Sequence, residues 1–178
     1  MSTALAITPL PSHQIPLHTI AVLVRNQPGV LVRVSLVFAR RGYNIESLVV
    51  SPDVTNGDFS RMTITCRGDV DTLEQVVKQL TKLVDVVHAI DHTGQAAVET
   101  EIAFVKMKAA DLTARTEVLQ IAEHYKAKVV DYGAESLILR VYGESEKVDS
   151  FIALLRPFAI VELVRSGKII MARGPETT

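Results

Sequence analysis

Arg25-Asn26-Gln27-Pro28-Gly29-Val30-Leu31, continued after one short helix by Arg41-Gly42-Tyr43-Asn44-Ile45-Glu46, is the stretch that decides the fold. It reads as strand, tight loop, helix and strand again. Upstream, Ile20, Val22 and Val24 alternate with Thr19, Ala21 and Leu23, a β-branched run that predicts a buried strand ending at Asn26. Pro28 fixes φ near the helical value and lacks the N–H that a first helical turn leaves unpaired, while Gly29 lets the backbone approach whatever lies above it. Val30, Leu31, Val34, Val37 and Phe38 then recur at a helical period, and Arg40, Arg41 and Gly42 supply a cationic last turn and a stop.

A helix that starts straight after a strand leaves several N–H groups pointing outward at the positive end of its dipole, which suits a carboxylate guest. An α-amino acid carries such a group. Asn26 and Asn44 each offer a donor and acceptors for a carboxylate or an ammonium. The same residues also fit a purely structural role, with Asn26 capping the helix and Asn44 turning the chain.

The chain has 178 residues, enough for one large or two small domains with real cores, and 48 % of them are apolar. Net charge is −1 with both signs interspersed, so no basic face marks a nucleic-acid partner and no polybasic run marks anionic lipid. No apolar run approaches membrane-spanning length. Cys66 is the single cysteine, which rules out an intramolecular disulfide and a Cys-rich metal site and fits a reducing compartment; the expected location is the cytoplasm. Residues 1–17 hold Pro9, Pro11 and Pro16 with no Lys or Arg, and are expected to form a loose tail without signal-peptide marks.

Downstream, a second strand is expected over Asn44–Val50 and a third over Phe59–Arg67, where Ser60, Met62, Ile64 and Cys66 form the buried set. Asp69 caps a helix whose Val70, Leu73, Val76, Val77, Leu80 and Val84 share a side, and Val84–His92 is a fourth strand. Residues 18–93 thus spell a ferredoxin-like βαββαβ unit. The small-residue stretch 94–98 is the expected linker.

The layout then repeats over 99–174. Glu99–Lys108 reads as strand, Arg115–Tyr125 as helix, Lys128–Tyr132 and Ser136–Tyr142 as strands, Ser145–Leu155 as helix, and Ile160–Met171 as a strand pair broken at Ser166-Gly167. Residues 175–178 form a short tail. The fold class is therefore α+β, two ferredoxin-like units in tandem. In the second copy, Ala109–Thr113 stands where Asn26–Gly29 stands in the first and has neither Asn nor Gly, so its expected role is structural or interactive.

Catalytic chemistry finds no foothold. There is no Gly-rich phosphate loop or dinucleotide fingerprint, and no Ser or Cys in a recognisable nucleophile setting. His88 and His92 fall on a strand, where four residues span about 13 Å, too far to share one ion. No catalytic residue and no metal ligand is expected. Glu46, beside Asn44, is read as a solvated strand residue.

Asn26-Gln27-Pro28-Gly29-Val30-Leu31, with Phe38-Ala39-Arg40-Arg41-Gly42-Tyr43-Asn44-Ile45-Glu46-Ser47-Leu48, resembles the ACT domain of the small regulatory subunit of acetolactate synthase, also called acetohydroxyacid synthase. Ser60-Arg61-Met62-Thr63-Ile64, Gln79 to Val86, Glu101-Ile102 with Val105-Lys106, Arg165-Ser166-Gly167 and Ala172-Arg173-Gly174 extend the likeness to nearly everything but the tail.

The resemblance implies a non-catalytic subunit that binds valine, the end product, and passes that information to a separate catalytic subunit. Thiamine diphosphate, magnesium and FAD are then expected in the catalytic subunit and no cofactor in this chain. It implies ACT domains paired side by side in a homodimer or larger assembly, with the amino acid at the seam. On this sequence, Asn26, Gly29, Val30 and Leu31 come from one protomer and Asn44 and Ile45 from its neighbour, with Val30, Leu31 and Ile45 walling the side chain. Pro28 and Val32 depart from the commonest pattern, stiffening the loop and removing a frequent hydroxyl. The alternative is a free-standing ACT-domain amino-acid sensor acting on another partner.

Overall fold

The computed structural model describes residues 16–109, 111–175 and 178, the side chain of Thr72 excepted. Its first half runs β1 (Leu17–Arg25), α1 (Val30–Ala39), β2 (Ile45–Pro52), β3 (Phe59–Arg67), α2 (Val70–Leu80) and β4 (Val86–Asp91). The strands form an antiparallel sheet in the order β2-β3-β1-β4. Both helices lie on one face. Ile20, Val22 and Val24 of β1 meet Met62, Ile64 and Cys66 of β3 beneath Val30, Val34 and Phe38 of α1 and Leu73, Val76 and Leu80 of α2. Removing each such large side chain from water contributes about 1.5–3 kcal/mol, so this core fixes which side of the sheet α1 covers.

The second half runs β5 (Ala97–Lys108), α3 (Leu112–His124), β6 (Lys128–Tyr132), β7 (Ser136–Gly143), α4 (Ser145–Leu155), β8 (Ile160–Arg165) and β9 (Ile169–Ala172). Its sheet has the order β6-β7-β5-β8, the same topology as the first. The α+β tandem of ferredoxin-like units read from the periodicities is the observed architecture. β9 pairs with the start of β5 and β8 with its second half, so one long strand carries two partners along one edge.

Several elements differ from expectation for identifiable reasons. The second strand covers Ile45–Pro52, leaving Asn44 outside it, because pairing with β3 continues through Pro52 opposite Ser60. Val70 is exposed and Val84 almost wholly so: α2 ends at Leu80, and a turn intervenes before β4 opens at Val86. α1 ends at Ala39, so Arg40 is its C-cap and Arg41 lies beyond the last turn. α3 starts earlier than Arg115 because the Asp111 carboxylate accepts from the Ala114 N–H at 2.8 Å and caps it. The terminal strand pair is β8 and β9, and β5 opens at Ala97, inside the stretch read as linker. The tails expected over 1–17 and 175–178 lie largely outside the described residues, and Leu17 already belongs to β1.

The helix-free face of the first sheet is covered. Alternation turns Thr19 and Thr65 away from the helices, yet each is buried. Part of the cover is the β8–β9 turn, whose Gly167 abuts Ser47 and Val49 of β2.

Candidate functional site

The start of α1 is built by Gly29, whose φ of 84° is a left-handed value that a side chain would strain. No side chain caps this helix. Val30 N–H reaches Gln27 O at a long 3.4 Å and Arg33 N–H bonds Gly29 O at 3.1 Å; among the described residues the N–H groups of Gly29, Leu31 and Val32 have no backbone acceptor. These groups face an exposed loop at the positive end of the α1 dipole, an arrangement suited to a carboxylate.

Asn26 does not cap α1. Its Nδ2 donates to Gly57 O at 3.1 Å and its own N–H to Asp58 O at 2.7 Å, tying the α1 loop to the β2–β3 turn and leaving Oδ1 as an acceptor. Asn44 Nδ2 donates to Glu46 Oε1 at 3.2 Å across the first residue of β2, again leaving Oδ1 available. Both are exposed, as Glu46 is. Ile45 pairs with Cys66 and packs partly on the core, and the ladder shifts register between Ile45 and Ser47, a bulge that re-aims the start of this edge strand.

Val30 requires a correction. Its side chain is buried in the core of its own unit, so it cannot wall a pocket, and it brings only backbone to the site. Leu31 is 42 % exposed and does present its side chain beside the cradle. Asn26, Gly29 and Leu31 thus gather at one end of α1, whereas Asn44 and Ile45 stand at the head of β2, past the other end of that helix.

Arg33 was not legible as a neighbour of this site. Its Nε donates to Asp85 Oδ2 at 2.7 Å, with Nη2 also 2.7 Å from that oxygen, and its Nη1 lies 3.3 Å from where a Cβ on Gly29 would stand. Asp85 is 52 residues away, so no local pattern announces the pairing. Cys66 behaves as packing: burial, reinforced by Asp91 and Glu46, pushes its thiol up to about 11. A separate cavity of about 430 Å³ near the linker is lined by His92, Gln95, Ala96, Ala172, Arg173 and Pro175, none of which belongs to the α1 cradle.

The doubled β2-β3-β1-β4 topology defines a tandem ferredoxin-like protein, its first unit with an uncapped α1 start. Residues 20–88 match the family model of the AHAS small subunit-like ACT domain, and residues 100–174 that of the small subunit of acetolactate synthase. The chain is 40 % identical over 164 residues to the acetolactate synthase small subunit of Mycolicibacterium smegmatis, covering 92 % of this chain and 95 % of the relative. It is 43 % identical over 160 residues to that of Aquifex aeolicus, covering 90 % and 83 %. The crystal structure of the small subunit from Thermotoga maritima superposes with a TM-score of 0.80 at 35 % identity, covering 91 % of this chain and all of that one. The chain belongs to the acetolactate synthase small-subunit family.

Proposed function

We propose that this chain is a non-catalytic regulatory subunit that activates a thiamine-diphosphate-dependent catalytic subunit and makes it sensitive to valine. The observation that carries the reading is the uncapped start of α1, where the unpaired N–H groups of Gly29, Leu31 and Val32 meet solvent beside Asn26. Valine places its carboxylate there. Its ammonium takes acceptor oxygens from Asn26 and from Asn44 of a second copy, and its isopropyl group rests on Leu31 and on Ile45 of that copy. Support for the two-chain seam comes from β2, an edge strand of the sheet, and from Leu31, Val32 and Leu36, which leave an apolar stripe exposed on α1.

A ligand shared by two chains stabilises only the arrangement in which both halves face each other, so occupancy and assembly geometry are linked. A coupling of about 1–3 kcal/mol changes the partner's turnover severalfold or more. Thiamine diphosphate, magnesium and flavin chemistry belongs in this reading to the catalytic subunit, and this chain contributes binding and geometry.

Gly29→Asp tests the site, because it sets a carboxylate where the ligand's carboxylate belongs. Calorimetry is expected to register valine binding to the wild-type chain and none to the variant, with unchanged circular dichroism. Equal affinity in both overturns the site. In the synthase assay with pyruvate, the purified chain alone is expected to be inactive and to raise the activity of the catalytic subunit; absence of any effect on that subunit favours the free-standing sensor.

A further inference from the structure

The two sheets differ in how their helix-free faces are treated. In the second unit, α3 and α4 bury Ala103, Val105, Met107, Leu137, Leu139 and Val141. Strand alternation therefore sends Ile102, Phe104 and Lys106 of β5, Ile138, Arg140 and Tyr142 of β7, and Glu162 and Val164 of β8 to the other face. The register sets Arg140, Phe104 and Val164 in one row across the sheet, and Ile138, Lys106 and Glu162 in the next. Phe104 is 39 % and Val164 54 % exposed. The equivalent face of the first sheet is covered in part by the β8–β9 turn, whose Gly167 lies against Ser47 and Val49.

The cations on this face close no ion pair among the described residues, although Glu162 stands opposite Lys106 and Asp131 opposite Ile138 in the ladders. Arg140 Nε is buried without an acceptor, and among the described residues no ion pair includes Arg140, Lys106 or Lys128. Lys128 stands directly opposite Arg140 in the β6–β7 ladder, so two like charges are paired across strands, which destabilises a sheet unless an anion lies over them. A guanidinium with its Nε buried and unpaired, on a sheet row that continues through Phe104 to Val164, matches a carboxylate set among apolar side chains. A second copy of the same face would bring these cations against themselves, and the chain's net charge of −1 gives a polyanionic nucleic acid little to gain.

We propose that this open sheet face, centred on Arg140 and Phe104, docks the catalytic subunit through an acidic side chain surrounded by apolar ones. The proposal rests on the regulatory reading above and adds the surface it uses. Arg140→Glu and Lys128→Glu are made in the full chain, with circular dichroism and thermal melting as controls for folding. Binding to the purified catalytic subunit from the same source is then measured by surface plasmon resonance, and valine binding to the chain alone by calorimetry. Each variant is expected to melt like wild type, to bind valine with unchanged affinity, and to lose at least tenfold in affinity for the catalytic subunit. Unchanged affinity in both folded variants overturns the surface. So does a change in the chain's own oligomeric state in sedimentation, or equal loss of binding to a single-stranded oligonucleotide that wild type retains. If wild type itself does not bind the catalytic subunit, the regulatory reading fails first.

Discussion

Gly167 lies against Ser47: a Cβ at position 167 would stand 2.8 Å from the Ser47 Cβ and 2.9 Å from its Oγ. That contact joins the β8–β9 turn of one unit to β2 of the other. The Ser47 hydroxyl cannot simply swing away, because it shares a 2.6 Å hydrogen bond with Thr65 Oγ1. Gly167 also has φ of 83°, where any side chain adds strain of order 1–3 kcal/mol. Gly167→Ala is therefore expected to lower the urea midpoint, and adding Ser47→Gly to restore part of the loss by relieving the clash while the φ penalty stays. A double-mutant cycle with no coupling between the two positions would rule out the contact.

Asp53 predicts the acid limb of the stability curve. The Thr55 hydroxyl donates to its carboxylate at 2.5 Å and the Thr55 N–H at 2.8 Å, while the Arg61 Nε donates to the other oxygen at 3.0 Å. The Thr55 hydroxyl first, then the Thr55 N–H and the Arg61 charge, hold its pKa down to about 2 from an ordinary 3.8, against the opposing effect of desolvation. The folded value lies below the unfolded one, so the ionised carboxylate stabilises the fold above about pH 4. That contribution is lost as pH falls through about 2. Asp53→Asn is expected to flatten the fall in melting temperature between about pH 4 and 2 relative to wild type.

Much of this was legible because local chemistry and tertiary packing agree. The Ile20, Val22 and Val24 alternation and the Ser60 to Cys66 set lie in the core as the period-two reading requires. Pro28 and Gly29 mark where α1 begins because the helix needs a left-handed residue at that junction. Elsewhere the pattern misled. Val70 and Val84 continue the apolar periodicity of α2 but sit at its first residue and past its end, and both are exposed. The family resemblance implies Val30 as part of a ligand wall, yet the helical period that places Val34 and Phe38 in the core takes Val30 there too. The Arg33–Asp85 and Gly167–Ser47 contacts join segments far apart in sequence, and periodicity is silent about those.

Cys66 is expected to resist thiol reagents in the folded chain. A pKa of about 11 instead of the ordinary 9.0 leaves roughly 100-fold less thiolate at pH 8, and burial blocks access in addition. Labelling by a maleimide should be slow in buffer and become fast across the urea transition. Between about pH 9 and 11 the unfolded thiol ionises while the folded one does not, so rising pH in that window favours unfolding. Rapid labelling of the native chain at pH 8 would contradict both the burial and the upward shift.

Arg33 gives a graded prediction for the same cradle that Gly29→Asp abolishes. Its guanidinium is fixed by Asp85 and has Nη1 close to Gly29, so it adds positive charge beside the N–H groups proposed to take the valine carboxylate. The side chain is 46 % exposed, and water and salt screen such a charge to about 0.3–1 kcal/mol. Arg33→Gln is therefore expected to weaken valine binding by roughly two- to fivefold at low salt and by less at 0.5 M salt. Asp85→Asn keeps the guanidinium and removes the anion that neutralises it, so it should bind valine at least as tightly as wild type. Valinol, which lacks the carboxylate, should bind all three chains with the same affinity; if it discriminated among them as valine does, Arg33 would be acting through packing and not through charge.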